Sequence, residues 1–159
     1  MARRRSFEEM NCSIARSLEV VGEWWTLLIV REAFRGVRRF DDFAARLGIA
    51  SNVLTARLRK LVEHDVFEER AYHERPLRVE YRLTAKGRDL FPVILALLQW
   101  GDRWYAPDGP PVVLEHTACD HRTRALFVCD HCGERLDPRH TRAVPGRGAS
   151  EAAPSLARA

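Results

Sequence analysis

RFDDFAARLGIASNVLTARLRKLVEH, residues 39–64, is the stretch whose reading decides the fold. Phe40, Phe43, Ala44 and Leu47 recur at helical spacing and form one apolar stripe. Gly48 stops that helix, because glycine adopts a positive φ without steric cost. Ile49 falls in the turn, and Ser51 is expected to cap a second helix through its hydroxyl. That helix turns Leu54, Leu58, Leu61 and Val62 inward. Its opposite face carries Asn52, Ala56, Arg59, Lys60 and Glu63, with Ser51 and Thr55 flanking it near the N-terminal end. Two helices joined by a short glycine-containing turn form a helix-turn-helix, and its second helix is the one that reads base edges in the major groove. An ordinary helical hairpin in an all-α core shares this pattern, so the flanking sequence has to decide.

Upstream, residues 13–21 predict a helix with Ile14, Leu18 and Val21 on one face, ended by Gly22. Residues 23–34, EWWTLLIVREAF, are apolar almost all round, as a helix central to a core would be. Arg3, Arg4 and Arg5 stand in a polar arm before them. Downstream of His64 the period changes from helical to alternating. Residues 66–72 and 79–84 predict two strands around the proline-containing turn HERPLR, residues 73–78. Such a hairpin directly after a reading helix is a wing, and Arg75 and Arg78 at its tip suit phosphates or the minor groove. The fold class is therefore mainly α with a small β-wing, a winged helix-turn-helix.

This chain resembles the HxlR-type regulators, winged helix-turn-helix transcription factors of bacteria in the MarR-like superfamily. The resemblance rests on Cys12-Ser13-Ile14, on Gly22 with Trp25-Thr26-Leu27-Leu28-Ile29, and on Arg38-Arg39-Phe40. It continues through Val53-Leu54, Arg57-Leu58 and Leu61, Pro76, and the run Val79-Glu80-Tyr81-Arg82-Leu83-Thr84-Ala85-Lys86-Gly87 to Trp100-Gly101. What it implies is a homodimeric regulator of transcription on an inverted-repeat operator. Two departures stand out. Trp24 occupies a position that is often basic in the family, and Ala50-Ser51-Asn52 replaces a frequent Ser-Pro-basic start of the reading helix.

Thr84 is expected to cap a further helix running to about Tyr105, kinked or divided by Pro92. Leu90, Val93, Ile94, Leu97, Gly101 and Trp104 line one of its faces; Phe91, Leu95 and Leu98 line another. One small domain buries one such face, so the second points to a homodimer through the helix containing Leu95 and Leu98. Residues 1–105 are thus read as the DNA-binding and dimerisation domain, and residues 106–111, APDGPP, as a linker. Residues 112–138 form a small segment of their own, and the Arg-, Gly-, Ala- and Pro-rich residues 139–159 are expected to be disordered.

Four cysteines carry the remaining chemistry. Cys129-Asp130-His131-Cys132-Gly133 has the shape of a metal knuckle. Cys119 would add a third sulfur, and His116 or His121 would complete a tetrahedral Zn²⁺ site. A metal-free hairpin with free thiols is the alternative. Cys12 stands at the start of the first helix, where the helix dipole favours a thiolate. The resemblance implies that such an N-terminal cysteine senses oxidants or electrophiles; the plain alternative is a small half-buried residue.

The 159 residues are 46% hydrophobic and 30% charged, with a net charge of +4 and a pI of about 9.2. A polyanionic partner fits that balance. No apolar run reaches membrane-spanning length, and no secretory signal precedes the first helix, so a cytoplasmic protein is expected. No nucleophile–base pair or phosphate-cradling glycine loop is recognisable, which argues against an enzyme. Two readings remain: a sequence-specific regulator of double-stranded DNA answering a small molecule or oxidant, or a winged-helix module that binds another protein.

Overall fold

The structure, a computed structural model, describes residues 6–7 and 9–149. Arg3, Arg4 and Arg5 lie outside the described residues, as do residues 150–159. Four helices come first: α1 (Ser13–Val21), α2 (Trp24–Phe34), α3 (Phe40–Leu47) and α4 (Ser51–Glu63). The hairpin β1 (Phe67–Glu74) and β2 (Leu77–Leu83) follows, then the short α5 (Ala85–Arg88) and α6 (Phe91–Tyr105). A second hairpin, β3 (Leu114–His116) and β4 (His121–Thr123), lies in the C-terminal segment.

The core is built from the stripes seen in the sequence. Ile29 and Val30 of α2, Phe43 of α3, Leu54, Leu58 and Leu61 of α4, and Val66 and Phe67 at the root of the wing are all buried. Ile49 is buried in the turn between α3 and α4. Phe43 and Phe67 lie with ring centroids 6.3 Å apart, and Phe67 and Tyr81 at 6.4 Å, so aromatic contacts join α3 to both strands of the wing. Gly48 has φ 61°, a left-handed conformation that ends α3 and aims the chain into α4. Asp41 and Asp42 in the first turn of α3 and Arg46 in its last complement the helix dipole.

Several expectations need correction. Ser51 is the first residue of α4 rather than its cap; Ala50 holds the cap position and no side chain bonds there. The Ser51 carbonyl instead accepts the Thr55 hydroxyl at 2.8 Å. The strands run further than the alternation suggested, to Glu74 and from Leu77, because backbone pairing continues through residues that are exposed; the register shifts between Ala71 and His73. Thr84 does cap, accepting the Gly87 N–H at 3.0 Å, but α5 ends after one turn and Pro92 lies in the first turn of α6, so the long helix is divided. Trp24, expected in the core, is 91% exposed at the first position of α2.

Candidate nucleic-acid interface

The position of α4 follows from two ion-pair arrangements the linear sequence does not disclose. Glu32, buried at the C-terminal end of α2, meets Arg31 at 2.8 Å, Arg35 at 3.1 Å and Arg46 of α3 at 3.5 Å. Three guanidinium groups around one buried carboxylate compensate its desolvation and tie α3 to α2. Arg57 of α4 meets Glu23, at the N-cap of α2, at 2.9 Å, with both groups half-buried. With its apolar stripe sunk against α2 and α3, α4 is held from one side.

The other side is open. Ser51, Asn52, Thr55, Ala56 and Arg59 are exposed, and Lys60 is half-buried. The Arg59 side chain is 79% exposed and contacts Glu63 only at 3.9 Å, one turn on. A surface pair of that length holds the guanidinium weakly, so it can be exchanged for a stronger acceptor. Arg75 lies between the two strands of the wing and Arg78 is the second residue of β2, both exposed.

The wing is fixed to the start of α3 by contacts missed in the sequence, where residues 37–39 read as a plain connection. Arg39 pairs with Glu80 as an isolated antiparallel bridge, and the Tyr81 N–H donates to the Arg38 carbonyl at 2.8 Å. The Arg39 guanidinium lies 4.6 Å from the centre of the Tyr72 ring. On the same strand Arg82 donates to Glu80 at 2.7 Å. Burial and the neighbouring Glu69 carboxylate push the Tyr81 phenol above its ordinary pKa, keeping it neutral. The chain before α3 is thus tied to β2 by a single bridge and one further backbone hydrogen bond, which fix the wing to the start of the helix-turn-helix. The alternation rule could not find it, since it is a single bridged residue.

Cys12 is exposed at the N-cap of α1. The proposed metal residues fall into two groups. His116, Cys119 and His121 belong to the turn between β3 and β4, where His116 Nδ1 lies 3.4 Å from Cys119 Sγ and His121 Nδ1 contacts the Cys119 carbonyl. Cys129 and Cys132 share the next turn; the N–H groups of Cys132 and His131 bond the Cys129 sulfur and lower its pKa from the ordinary thiol value. Among the described residues no three His, Cys, Asp or Glu side chains stand together as a metal-binding set. The five residues therefore do not converge on one centre in this structure. Nor is any helix among the described residues long and apolar enough to cross a membrane.

Comparison with known proteins agrees with this geometry. The profile of the HxlR-like helix-turn-helix family matches residues 20–109. An uncharacterised HTH-type transcriptional regulator of Mycobacterium tuberculosis is 50% identical over 137 residues, covering 86% of this chain and 87% of its own length. The crystal structure of PA1607, described as a transcription factor, superposes with a TM-score of 0.80 at 40% identity, over 89% of this chain and all of that one. The redox regulator HypR in its reduced form superposes with a TM-score of 0.52 at 32% identity, over 58% of this chain and 92% of its own. These relatives are transcription regulators rather than enzymes, and the chain belongs to the HxlR-like helix-turn-helix family of transcriptional regulators.

Proposed function

We propose that the protein binds an inverted-repeat operator in double-stranded DNA as a homodimer, with α4 of each copy in the major groove and the wing against the flanking backbone or minor groove. The observation that carries this reading is the division of α4. Leu54, Leu58 and Leu61 are fully sunk in the core, while Asn52, Thr55 and Arg59 project on the free side with hydrogen-bonding groups suited to base edges. Arg75 and Arg78 supply the sequence-independent phosphate contribution.

The second copy is called for by α6. No residue of that helix is fully buried, although most of it is apolar. Leu90, just before it, and Ile94 pack on the core. Leu95 and Leu98, the face assigned to the partner from sequence, are half-buried in their own chain. The open stripe is Val93, Leu97, Trp100 and Trp104, at i, i+4, i+7 and i+11, between 43% and 61% exposed. That spacing is a coiled-coil seam, and a second copy of the same helix is its natural complement. Ile14 and Leu18 of α1 are also exposed. Cys12 at the head of α1 is the thiol through which an oxidant would reach the dimer; the redox regulator HypR among the similar structures supports this assignment.

The test is fluorescence anisotropy on an operator selected from genomic DNA. Arg59→Ala and Asn52→Ala should each cost about 1–3 kcal/mol of specific affinity. Arg75→Ala and Arg78→Ala should weaken specific and non-specific binding alike and reduce the salt slope by about one phosphate contact each. Unchanged affinity in the Arg59 and Asn52 variants would remove α4 as the reading element and favour a protein-binding module.

A further inference from the structure

We propose that His116, Cys119, Cys129 and Cys132 of one chain hold a single zinc ion that joins the two turns of the C-terminal segment. The argument begins with the turns, which are built alike. In the first, β3 ends at His116, whose carbonyl accepts the N–H of Cys119 at 3.0 Å and of Asp120 at 2.8 Å. Asp120 takes φ 55°, and the chain returns at His121, which pairs with His116. In the second, Val128 is bridged to Arg135, the Cys129 carbonyl accepts the Gly133 N–H at 2.9 Å, and Gly133 takes φ 74°. The Cys129 N–H donates to the Glu134 carbonyl at 2.8 Å as the chain returns. Each turn therefore places a ligand-type side chain where the chain enters it, at the end of β3 in the first and directly after the bridged Val128 in the second, with a cysteine three residues on and a left-handed residue directly after that. Left-handed φ is rare outside glycine, and Asp tolerates it better than most residues. Its recurrence at the same offset makes one motif used twice: His-x-x-Cys and Cys-x-x-Cys.

The spacing within the pairs suits a tetrahedral ion. Zn–N of about 2.1 Å and Zn–S of about 2.3 Å put neighbouring ligand atoms roughly 3.6 Å apart. His116 Nδ1 and Cys119 Sγ are separated by 3.4 Å. The sulfur of Cys129 receives the N–H groups of Cys132 and His131 and contacts the Cys132 thiol. Backbone donors aimed at the first sulfur of a pair are the surroundings a metal-bound thiolate requires. One nitrogen and three sulfurs are a soft set that selects zinc over hard cations. Aligning the turns also decides between the histidines. His121 corresponds to Glu134, on the returning strand, and not to a ligand position; His116 corresponds to Cys129.

The segment has a physical need for such a link. No residue from 111 to 149 is buried, and Leu126, Phe127, Val128 and Leu136 are each 44–53% exposed. Its three cysteines are free thiols. A segment this short with neither core nor disulfide is ordinarily held by a metal or by docking. In the structure the two pairs stand apart, so the ion would draw the turns together, and metal binding would be coupled to closure of the segment. Each of the three thiols gives its proton to the solvent on binding.

The test uses the full-length protein, stripped with a chelator and titrated with Co²⁺ or Zn²⁺. One equivalent of metal should bind, and cobalt should give the intense visible bands of a tetrahedral thiolate site. His116→Ala, Cys119→Ser, Cys129→Ser and Cys132→Ser should each weaken cobalt binding by more than about tenfold, while His121→Ala leaves it unchanged. Far-UV circular dichroism of each variant checks that the helical domain remains folded. Binding below about a tenth of an equivalent, with all three thiols alkylated freely, would overturn the proposal. So would a cobalt spectrum that survives in Cys119→Ser or is lost in His121→Ala. A spectrum regained on mixing a His116→Ala/Cys119→Ser chain with a Cys129→Ser/Cys132→Ser chain would place the site between two chains and overturn the assignment to one.

Discussion

Residues 13–87 and residues 91–149 of this chain solve the problem of burial in opposite ways. In the first stretch α2, α3, α4 and the root of the wing supply each other with partners, and Ile29, Val30, Phe43, Leu54 and Leu61 are fully enclosed. In the second, α6 and the C-terminal segment have apolar residues in quantity and none of them is buried. Burial fraction rises with the size of the enclosing unit, so one helix, one short hairpin and a further turn cannot enclose themselves. The difference teaches that the first stretch is a finished core, while the second is surface left open within one chain, which is where the proposed second copy at α6 and the proposed ion at the two turns would act.

The largest expected effect sets the two regions side by side. Phe43→Ala removes a fully enclosed ring that faces Phe67, and should cost about 3–5 kcal/mol in urea unfolding. Phe127→Ala removes a ring that is 51% exposed and should cost less than about 0.5 kcal/mol. Comparable losses for the two would mean that the C-terminal segment has a packed environment of its own, and the contrast would fail.

A smaller effect is expected at the joint between the regions. Gly87 is buried in α5, and a Cβ built there would stand 2.2 Å from the Val66 carbonyl oxygen and 2.9 Å from Leu83 Cδ2. The first neighbour is backbone and cannot swing aside. Gly87→Ala should therefore cost about 1–3 kcal/mol by overpacking, despite replacing glycine within a helix. Thr84→Ala, which removes the hydroxyl that accepts the Gly87 N–H, should cost about 1 kcal/mol. Both losses should appear in the unfolding midpoint. If Gly87→Ala were neutral or stabilising, α5 would be shown to move freely against the wing.

How much of this was legible in the sequence depended on how far each feature reached along the chain. The stripes Phe40-Phe43-Leu47 and Leu54-Leu58-Leu61 and the stop at Gly48 are local periodicities, and they placed α3, the turn and α4 correctly. The exposed face of α4 follows from the same periodicity. What could not be read were the pairings between distant residues. Glu32 looked like one more charge on an apolar helix, and only folding brings Arg46 to it. Arg39 bridged to Glu80 leaves no periodic trace, because one bridged residue has no period. Which of the two apolar faces of α6 stays open was not legible either, because nothing local says which the core takes: Leu95 and Leu98 are half-buried, while Val93, Leu97, Trp100 and Trp104 are exposed. Ser51 was one position out as a cap, since the chain leaves the turn already helical at that residue. The cysteines and histidines of the C-terminal segment stand out by type and spacing, and the repeat of the left-handed residue at Asp120 and Gly133 became visible only with backbone angles.

The smallest expected effect is the one that sharpens the comparison most. A chain ending at Pro111 lacks both C-terminal turns and everything after them. Among the described residues the large fully enclosed side chains lie between Thr26 and Phe67, so the deletion removes none of these. A hydrogen bond that ties the lost region back, from Asn11 Nδ2 to the Gly148 carbonyl at 2.8 Å, is exposed and contributes little beyond its exchange with water. The unfolding free energy should therefore change by less than about 0.5 kcal/mol, a value typical of surface changes. Operator affinity should be retained as well, because α4, the wing and the stripe on α6 all precede the cut. Sedimentation at several concentrations gives the discriminating measurement. If the shortened chain dissociates to monomer while its unfolding midpoint at fixed concentration stays put, the exposed Leu126, Phe127 and Leu136 are part of the surface that the second copy covers. If the dimer is unaffected, those side chains lie outside the surface that the second copy covers.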